Sequence, residues 1–116
     1  MAWKPSEVLT VDGRVCLSDS EEWRLYCEAL TVIKSPAHVG GNYLGMVTSM
    51  RGAPGRQRVE NEIRRIEPAY ALGLPSKDER VRYLGKVEAS RGTSARKALE
   101  QEILALWERQ RQENAA

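Results

Sequence analysis

The chain has no phenylalanine, one histidine and two cysteines in 116 residues, and each scarcity closes a class of functions. Cys16 and Cys27 have no CxxC spacing and no second pair. With the lone His38 they cannot assemble the four ligands of a structural zinc site, so no metal is expected. Two ordinary thiols are the usage of a reducing compartment. No apolar run approaches the about 18 residues a membrane span needs, and the first residues lack the basic-then-apolar layout of a signal peptide. The expected location is the cytoplasm. Gly52-Ala53-Pro54-Gly55 lacks the Lys-Ser/Thr that would follow a phosphate-cradling loop, which removes the usual nucleotide cofactor signature. Without Phe, the core must be built from Leu, Ile, Val and Met around three Trp and four Tyr. Such a core is small, but a chain of this length folds as one domain without staples.

Charge is informative by segment. Residues 1–50 hold 4 basic and 6 acidic side chains, and residues 51–116 hold 14 and 10, so a −2 half precedes a +4 half. The basic residues alternate with acidic ones, as on a solvated helix face.

Local signals predict a short hairpin followed by helices. Glu7 to Val11 and Arg14 to Leu17 flank Asp12-Gly13, a pair suited to a type I′ turn, and two strands alone need a helix to lean on, with Trp3 or Val8 as the contact. From residue 18 the apolar period becomes 3.6. Ser18-Asp19-Ser20-Glu21 has capping-box spacing, and Trp23, Tyr26, Cys27, Leu30 and Ile33 fall on one stripe until Ser35-Pro36, giving a helix over 19–34 in which Cys27 is a small buried hydrophobe. A second helix carries Tyr43, Leu44, Val47 and Met50 and ends at Gly52; its glycine-rich front end, His38-Val39-Gly40-Gly41, delays its start to as late as Asn42. A third starts near Pro54 with Val59, Ile63 and Ile66 inward, and Pro68 is expected to kink or break it before Tyr70. Ser76-Lys77-Asp78-Glu79 opens a fourth, with Val81, Leu84 and Val87 inward beside Tyr83. After Gly92, Thr93 or Ser94 caps a fifth that buries Leu99, Ile103, Leu106 and Trp107, and the polar tail from Glu108 frays.

An internal repeat is the strongest signal. A shift of 40 residues lays Tyr43-Leu44-Gly45-x-Val47 on Tyr83-Leu84-Gly85-x-Val87, Arg51-Gly52 on Arg91-Gly92, Arg56 on Arg96, and Glu60-x-Glu62-Ile63 on Glu100-x-Glu102-Ile103. Ten of 21 positions are identical where about one or two are expected by chance. The repeated Gly52 and Gly92 read as left-handed helix ends, and Arg51 and Arg91 as partners of the carbonyl end of the helix dipole. Gly45 and Gly85, costly inside helices, suggest the close approach of another backbone. The fold class is therefore mainly α: a compact bundle of about five helices with an N-terminal β-hairpin and a 40-residue helical-hairpin duplication. One domain spans 1–116, divided into a hairpin (1–17), a lead helix (18–35) and two repeat units (36–73 and 74–113).

The stretch Ser20-Glu21-Glu22-Trp23-Arg24-x-x-Cys27-Glu28-Ala29, followed by Leu74-Pro75, Arg80, Tyr83-Leu84-x-x-Val87-Glu88-x-x-Arg91-Gly92 and Leu99-x-x-Glu102-Ile103, resembles a family of small phage- and prophage-encoded proteins carrying a domain of unknown function. Members have one Leu-Pro/Tyr-Leu/Arg-Gly unit, whereas this chain holds two, the first with Gly40-Gly41 and without the Leu-Pro. The resemblance implies an accessory protein acting inside a bacterium and carries no catalytic residues with it.

Chemistry has little to work with. A Cys27–His38 pair oriented by Glu28 can be drawn, but Cys27 lies along a hydrophobic stripe, and Glu21-Glu22 is a first-turn carboxylate pair that suits the helix dipole. No catalytic residue and no cofactor is expected. The second and third helices outline a helix-turn-helix, with Arg51, Arg56, Arg58, Arg64 and Arg65 as candidate nucleic-acid or partner contacts, although they scatter around the helix and Glu60 sits between Arg56 and Arg64. The favoured expectation is a non-enzymatic module that binds a host bacterial protein, in the manner of anti-CRISPR proteins; the alternative is a nucleic-acid-binding regulator. A homodimer seam through Leu99, Ile103, Leu106 and Trp107 is a third expectation.

Overall fold

The computed structural model describes residues 4–115, so Trp3 lies outside the described residues. In chain order they form β1 (Glu7–Leu9), β2 (Val15–Leu17), α1 (Glu21–Lys34), α2 (Ala37–Leu72), α3 (Lys77–Arg91) and α4 (Thr93–Ala115). At Gly52 (φ 75°, ψ −178°) α2 changes direction, so it comprises two helical segments, 37–51 and 53–72. With that kink the mainly helical architecture has the five helical stretches the periodicity predicts. By its internal packing the chain divides into two units, Met1–Ile66 and Glu67–Ala116.

The first unit contains the hairpin. β1 and β2 pair antiparallel, Val8 opposite Cys16. The turn differs from the type I′ expected of Asp12-Gly13: only Gly13 has positive φ (88°), and Gly13 N–H donates to the Thr10 carbonyl at 3.1 Å. Asp12 instead takes the Thr10 hydroxyl at 2.5 Å and Arg14 Nε at 2.9 Å, which holds it in a right-handed turn followed by a glycine bulge. Cys16 on the inner face is buried, and Leu9, Val15 and Leu17 on the outer face are exposed. A two-stranded sheet is marginal alone. This one is tied down by Val11 N–H, which donates to the Tyr26 hydroxyl of α1 at 2.9 Å, and by Arg14.

The cap of α1 is Ser20 rather than Ser18: the Ser20 side chain accepts from Trp23 N–H, and the first turn carries Glu21 and Glu22 against the dipole. Its inward face is Tyr26, Glu28, Ala29 and Ile33, with Trp23 stacked on Tyr26 at 5.1 Å between ring centroids. Cys27, expected in the core, is exposed. The buried stripe has rotated toward Glu28, whose carboxylate is held by partners described below. α2 starts five residues before Asn42, because Gly40 is the site of a close approach to α1: a Cβ there would come within 3.2 Å of the Val32 carbonyl. Val47, Val59, Ile63 and Ile66 complete this core.

Pro68 does not break α2, which continues to Leu72. Proline removes one backbone bond, here the one to the carbonyl of Arg64, a residue on the exposed side of the helix. Glu67, the residue the ring disfavours in a helix, is fastened by its side chain. In the second unit Ser76 caps α3 as expected, accepting from Glu79 N–H. Ala71, Tyr83, Val87 and Leu99 form its core. Val81 is exposed, because the buried stripe of α3 is centred on Tyr83. The residue at the N-cap of α4 is Gly92 and not Thr93 or Ser94: α4 begins at Thr93, and the Gly92 carbonyl accepts its first helical bond, from Arg96 N–H at 3.2 Å. Of the expected inward positions of α4, Leu99 is buried, Ile103 and Leu106 are half-buried and Trp107 is exposed. The tail stays helical to Ala115, with the Arg111 guanidinium over the Trp107 ring at 5.0 Å and bonded to Glu108 at 3.3 Å.

Candidate functional site

The duplicated Tyr, Arg and Gly positions build the same constellation twice, each time around a buried carboxylate. In the first unit Glu28 of α1 accepts from both guanidinium nitrogens of Arg51, at 3.1 Å and 2.7 Å, and from the Tyr43 hydroxyl at 3.2 Å; Arg24 Nε stands 3.7 Å away. In the second unit Glu67 of α2 accepts from Arg91, at 3.0 Å and 2.5 Å, and from the Tyr83 hydroxyl. Tyr70 meets the Tyr83 ring edge-on at 5.4 Å, and the Lys86 ammonium lies over its face at 5.6 Å. Each Arg directly precedes a glycine in an extended, left-handed conformation: Gly52 at φ 75°, ψ −178° and Gly92 at φ 94°, ψ 170°. Almost only glycine occupies that region. A helix thus ends in an Arg clasped to the preceding carboxylate helix, and glycine turns the chain into the next helix.

Electrostatics make these clasps structural. Burial alone would raise the Glu28 carboxyl, but the Arg51 guanidinium and then the Tyr43 hydroxyl outweigh it and hold Glu28 below the usual carboxylate range. Burial and the Glu28 charge push the Tyr43 phenol up, and burial with Glu67 pushes Tyr83 up further, so both hydroxyls remain protonated donors. Against its burial, Glu67 keeps the Arg91 guanidinium charged. Both oxygens of each carboxylate are engaged by the Arg and Tyr donors.

A third charge cluster belongs to the first unit alone. Arg14, mostly buried, bonds Asp12, Glu22 and Glu62, each at 2.9 Å, joining the hairpin to α1 and to the second segment of α2. Asp12 is held below the carboxylate range because the Arg14 and Thr10 hydrogen bonds overcome its burial. Glu62 is buried, whereas its repeat counterpart Glu102 is exposed. The second unit has no hairpin for Glu102 to hold.

The candidate arginines do not converge. Arg51 is on Glu28; Arg56 Nε is 2.7 Å from Glu60, Arg58 is 3.9 Å from Glu21, and Arg65 is 3.7 Å from Asp12, while Arg64 is exposed. Arg96 repeats the Arg56 pairing with Glu100 at 2.8 Å. The Cys27–His38–Glu28 arrangement is not assembled, because the Glu28 oxygens face Arg51 and Tyr43 and both Cys27 and His38 are exposed. Although Cys27 is exposed, neighbouring side chains partly desolvate its sulfur and push the thiol up, which disfavours thiolate. Among the described residues no group of three or more His, Cys, Asp and Glu is placed to hold a metal ion, and no helix is long and apolar enough to cross a membrane.

Nothing packs on the repeated glycines: a Cβ at Gly45 or Gly85 would meet no atom within 4 Å, so the close approach expected there is absent. The helices carrying them differ in another respect. Residues 37–51 and 77–91 occupy equivalent places, yet the first holds one charged residue, Arg51, and the second holds eight. Outward-facing Val39 (43% exposed), Asn42 and Met46 (49%) stand where α3 has Glu79, Arg82 and Lys86. Met50, 73% exposed, extends the apolar stripe.

Sequence identity at a fixed shift reveals Tyr43, Gly52, Tyr83 and Gly92 but passes over Glu28 and Glu67, which lie 39 apart. Pro36 and Pro75 share that spacing, so one residue is gained between the proline and the tyrosine. That offset is the signal that could have found the clasp carboxylates.

Fold and clasps together define a tandem helical-repeat protein in which a carboxylate helix, a Tyr/Arg helix and a glycine turn recur. The profile of a Family of unknown function (DUF7696) matches residues 16–69 and, a second time, residues 67–110, and the chain belongs to that family. Each match contains one complete clasp, and the two meet where the chain divides into its units. No curated protein and no solved structure gives a significant match.

Proposed function

We propose that this chain is a non-enzymatic protein-binding module whose contact surface is the outward face of residues 37–51. The observation that carries the reading is the contrast between the two copies. The same helix, in the same place in the repeat, is densely charged in one unit and nearly uncharged in the other. Solvated helix faces are normally polar, and Val39, Met46 and Met50 along one stripe have the character of an interface core. Methionine is the side chain that adapts to an irregular partner surface. Open space above Gly41 and Gly45 leaves the helix backbone accessible to that partner.

The resemblance to phage-encoded proteins directs the choice of partner to a cytoplasmic host bacterial protein, with a defence complex of the kind anti-CRISPR proteins inhibit as the first to try; that step is association, not chemistry. Nucleic-acid binding is the weaker reading, because Arg51, Arg56, Arg58 and Arg65 each face a carboxylate and would have to leave it to meet a phosphate.

The test exchanges the face for its own duplicate. V39E/N42R/M46K installs the α3 residues at matched positions, which the fold already accommodates in its second unit. Parallel capture from bacterial lysate is expected to recover a stoichiometric host protein with the wild-type chain and to lose it with the variant, at unchanged helicity. Recovery of nothing by the wild type, or of the same protein by both, overturns the reading. Salt-sensitive binding to duplex DNA that survives the exchange would favour the nucleic-acid reading.

A further inference from the structure

In the shared register, Trp107 of α4 stands where α2 carries the clasp carboxylate Glu67, and Leu104 stands where α2 carries Arg64. The position that holds a buried carboxylate in α2 thus holds an indole in α4. Both residues are exposed, Leu104 at 53% and Trp107 at 43%, and they lie on one stripe with Glu100 and Arg111 at spacings of four, three and four residues. That is the a/d pattern of a helix seam, two apolar layers flanked by a carboxylate at one end and a guanidinium at the other.

We propose that this stripe is a homodimer interface, α4 packing antiparallel on the α4 of a second copy about a two-fold axis level with the 105–106 peptide. The charge order selects this occupant. An antiparallel two-fold there sets Leu104 against the second copy's Trp107 and Trp107 against its Leu104, and it sets Glu100 against Arg111 at both ends. Shifting the axis to Leu104 would set Glu100 against Glu108 and Lys97 against Arg111, like on like, so the register is specified as well as the orientation. Arg111 stacks on Trp107 and bonds Glu108 at 3.3 Å, and Glu100 bonds Arg96 at 2.8 Å; both are solvent-exposed pairs within α4, of little net worth, so each side chain can also take a partner across the seam. Of the expected Leu99–Ile103–Leu106–Trp107 line only Trp107 belongs to this seam, because Leu99 is buried and Ile103 and Leu106 are half-buried. Its apolar area is small, so the association is weak and dynamic.

Sedimentation equilibrium of the full chain, from low micromolar to near-millimolar concentration, is expected to show the mean mass rising toward the dimer. Glu100→Arg and Arg111→Glu are each expected to weaken association by about tenfold or more through like-charge contact, and E100R/R111E to restore it to near the wild-type value. Trp107→Glu, which puts back the repeat's own residue, is expected to abolish it. Circular dichroism on each variant verifies that α4 stays helical. A wild-type chain monomeric over the whole range, or a double reversal no stronger than the single variants, overturns the proposal. Neither result bears on the 37–51 face, which is read by host-protein capture.

Discussion

Replacing Arg91 by Met is the sharpest probe of the clasp, because it removes the guanidinium while keeping most of the aliphatic stem. Glu67, with a side chain 5% exposed, then loses donors at 3.0 Å and 2.5 Å and keeps only the Tyr83 hydroxyl. Removing one partner of a fully buried pair costs about 3–5 kcal/mol; the Arg91 side chain is 41% exposed, so water reaches part of the vacated site and about 2–3 kcal/mol is expected. Deleting the whole constellation is a different perturbation. E67M/Y83F/R91M leaves no orphaned charge and no orphaned hydroxyl, and it is expected to be about 1 kcal/mol or more better than R91M alone. Urea denaturation followed by far-UV circular dichroism gives the stabilities. Hydrogen exchange by mass spectrometry should place the loss of protection within residues 67–115. A cost for R91M below about 0.5 kcal/mol, or a triple variant less stable than the single one, would refute the claim that Glu67 is a buried charge kept in place by its donors.

The glycines separate into groups with opposite signs. Gly52→Ala and Gly92→Ala force a Cβ into a region nearly reserved for glycine and are each expected to lower stability by about 1–3 kcal/mol in thermal denaturation. Gly45→Ala and Gly85→Ala meet open space inside helices and should each raise it by about 1 kcal/mol. Gly55→Ala loses that helix-propensity gain, because its Cβ would fall 2.5 Å from the Arg51 Cβ; a melting temperature at or above wild type would contradict the packing described. Asp12 and Glu28 have folded pKa values below their unfolded ones, so their contribution is complete above the ordinary carboxylate range and disappears as pH falls through the folded values. Urea midpoints should therefore hold from neutrality to about pH 5 and fall below about pH 4, with E28Q and D12N flattening that fall. In the folded protein an aromatic disulfide reagent should titrate one thiol, Cys27, and reach Cys16 only on unfolding.

Helices and hinges were legible in the sequence because their signals are local. Ser76 capping, a glycine of positive φ after Arg51 and Arg91, and Arg56–Glu60 as an i, i+4 pair need only a few neighbouring residues and appear as their spacing predicts, whereas Arg51 and Arg91, read as partners of the carbonyl end of their own helix, bond Glu28 and Glu67 of the preceding one. What failed depended on contacts between elements. Cys27 reads as core when the apolar residues of α1 are counted, yet Glu28 one position on is the buried residue, because Arg51 and Tyr43 are 23 and 15 residues away. Pro68 reads as a break when judged locally, and the anchorage of Glu67 by residues 16 and 24 positions downstream keeps the helix intact.

The same logic explains why the repeat was visible while its centre was not. Tyr and Arg sit on one rigid helix, so eight residues always separate them and a fixed shift aligns both copies. The carboxylate comes from the previous helix across a turn, where a one-residue change in length is absorbed without moving the side chains apart: the Tyr–Glu separation is 15 in one unit and 16 in the other, yet both hydroxyls reach their carboxylate. Packing therefore conserves a relation in space that register does not. It also assigns the segment 53–72 two duties. Its first part closes the core of the first unit with Val59, Ile63 and Ile66, and its last part supplies the carboxylate of the second through Glu67. In the second unit α4 repeats the first of these duties, closing the core with Leu99, and at the position equivalent to Glu67 it carries the exposed Trp107 in place of a buried carboxylate.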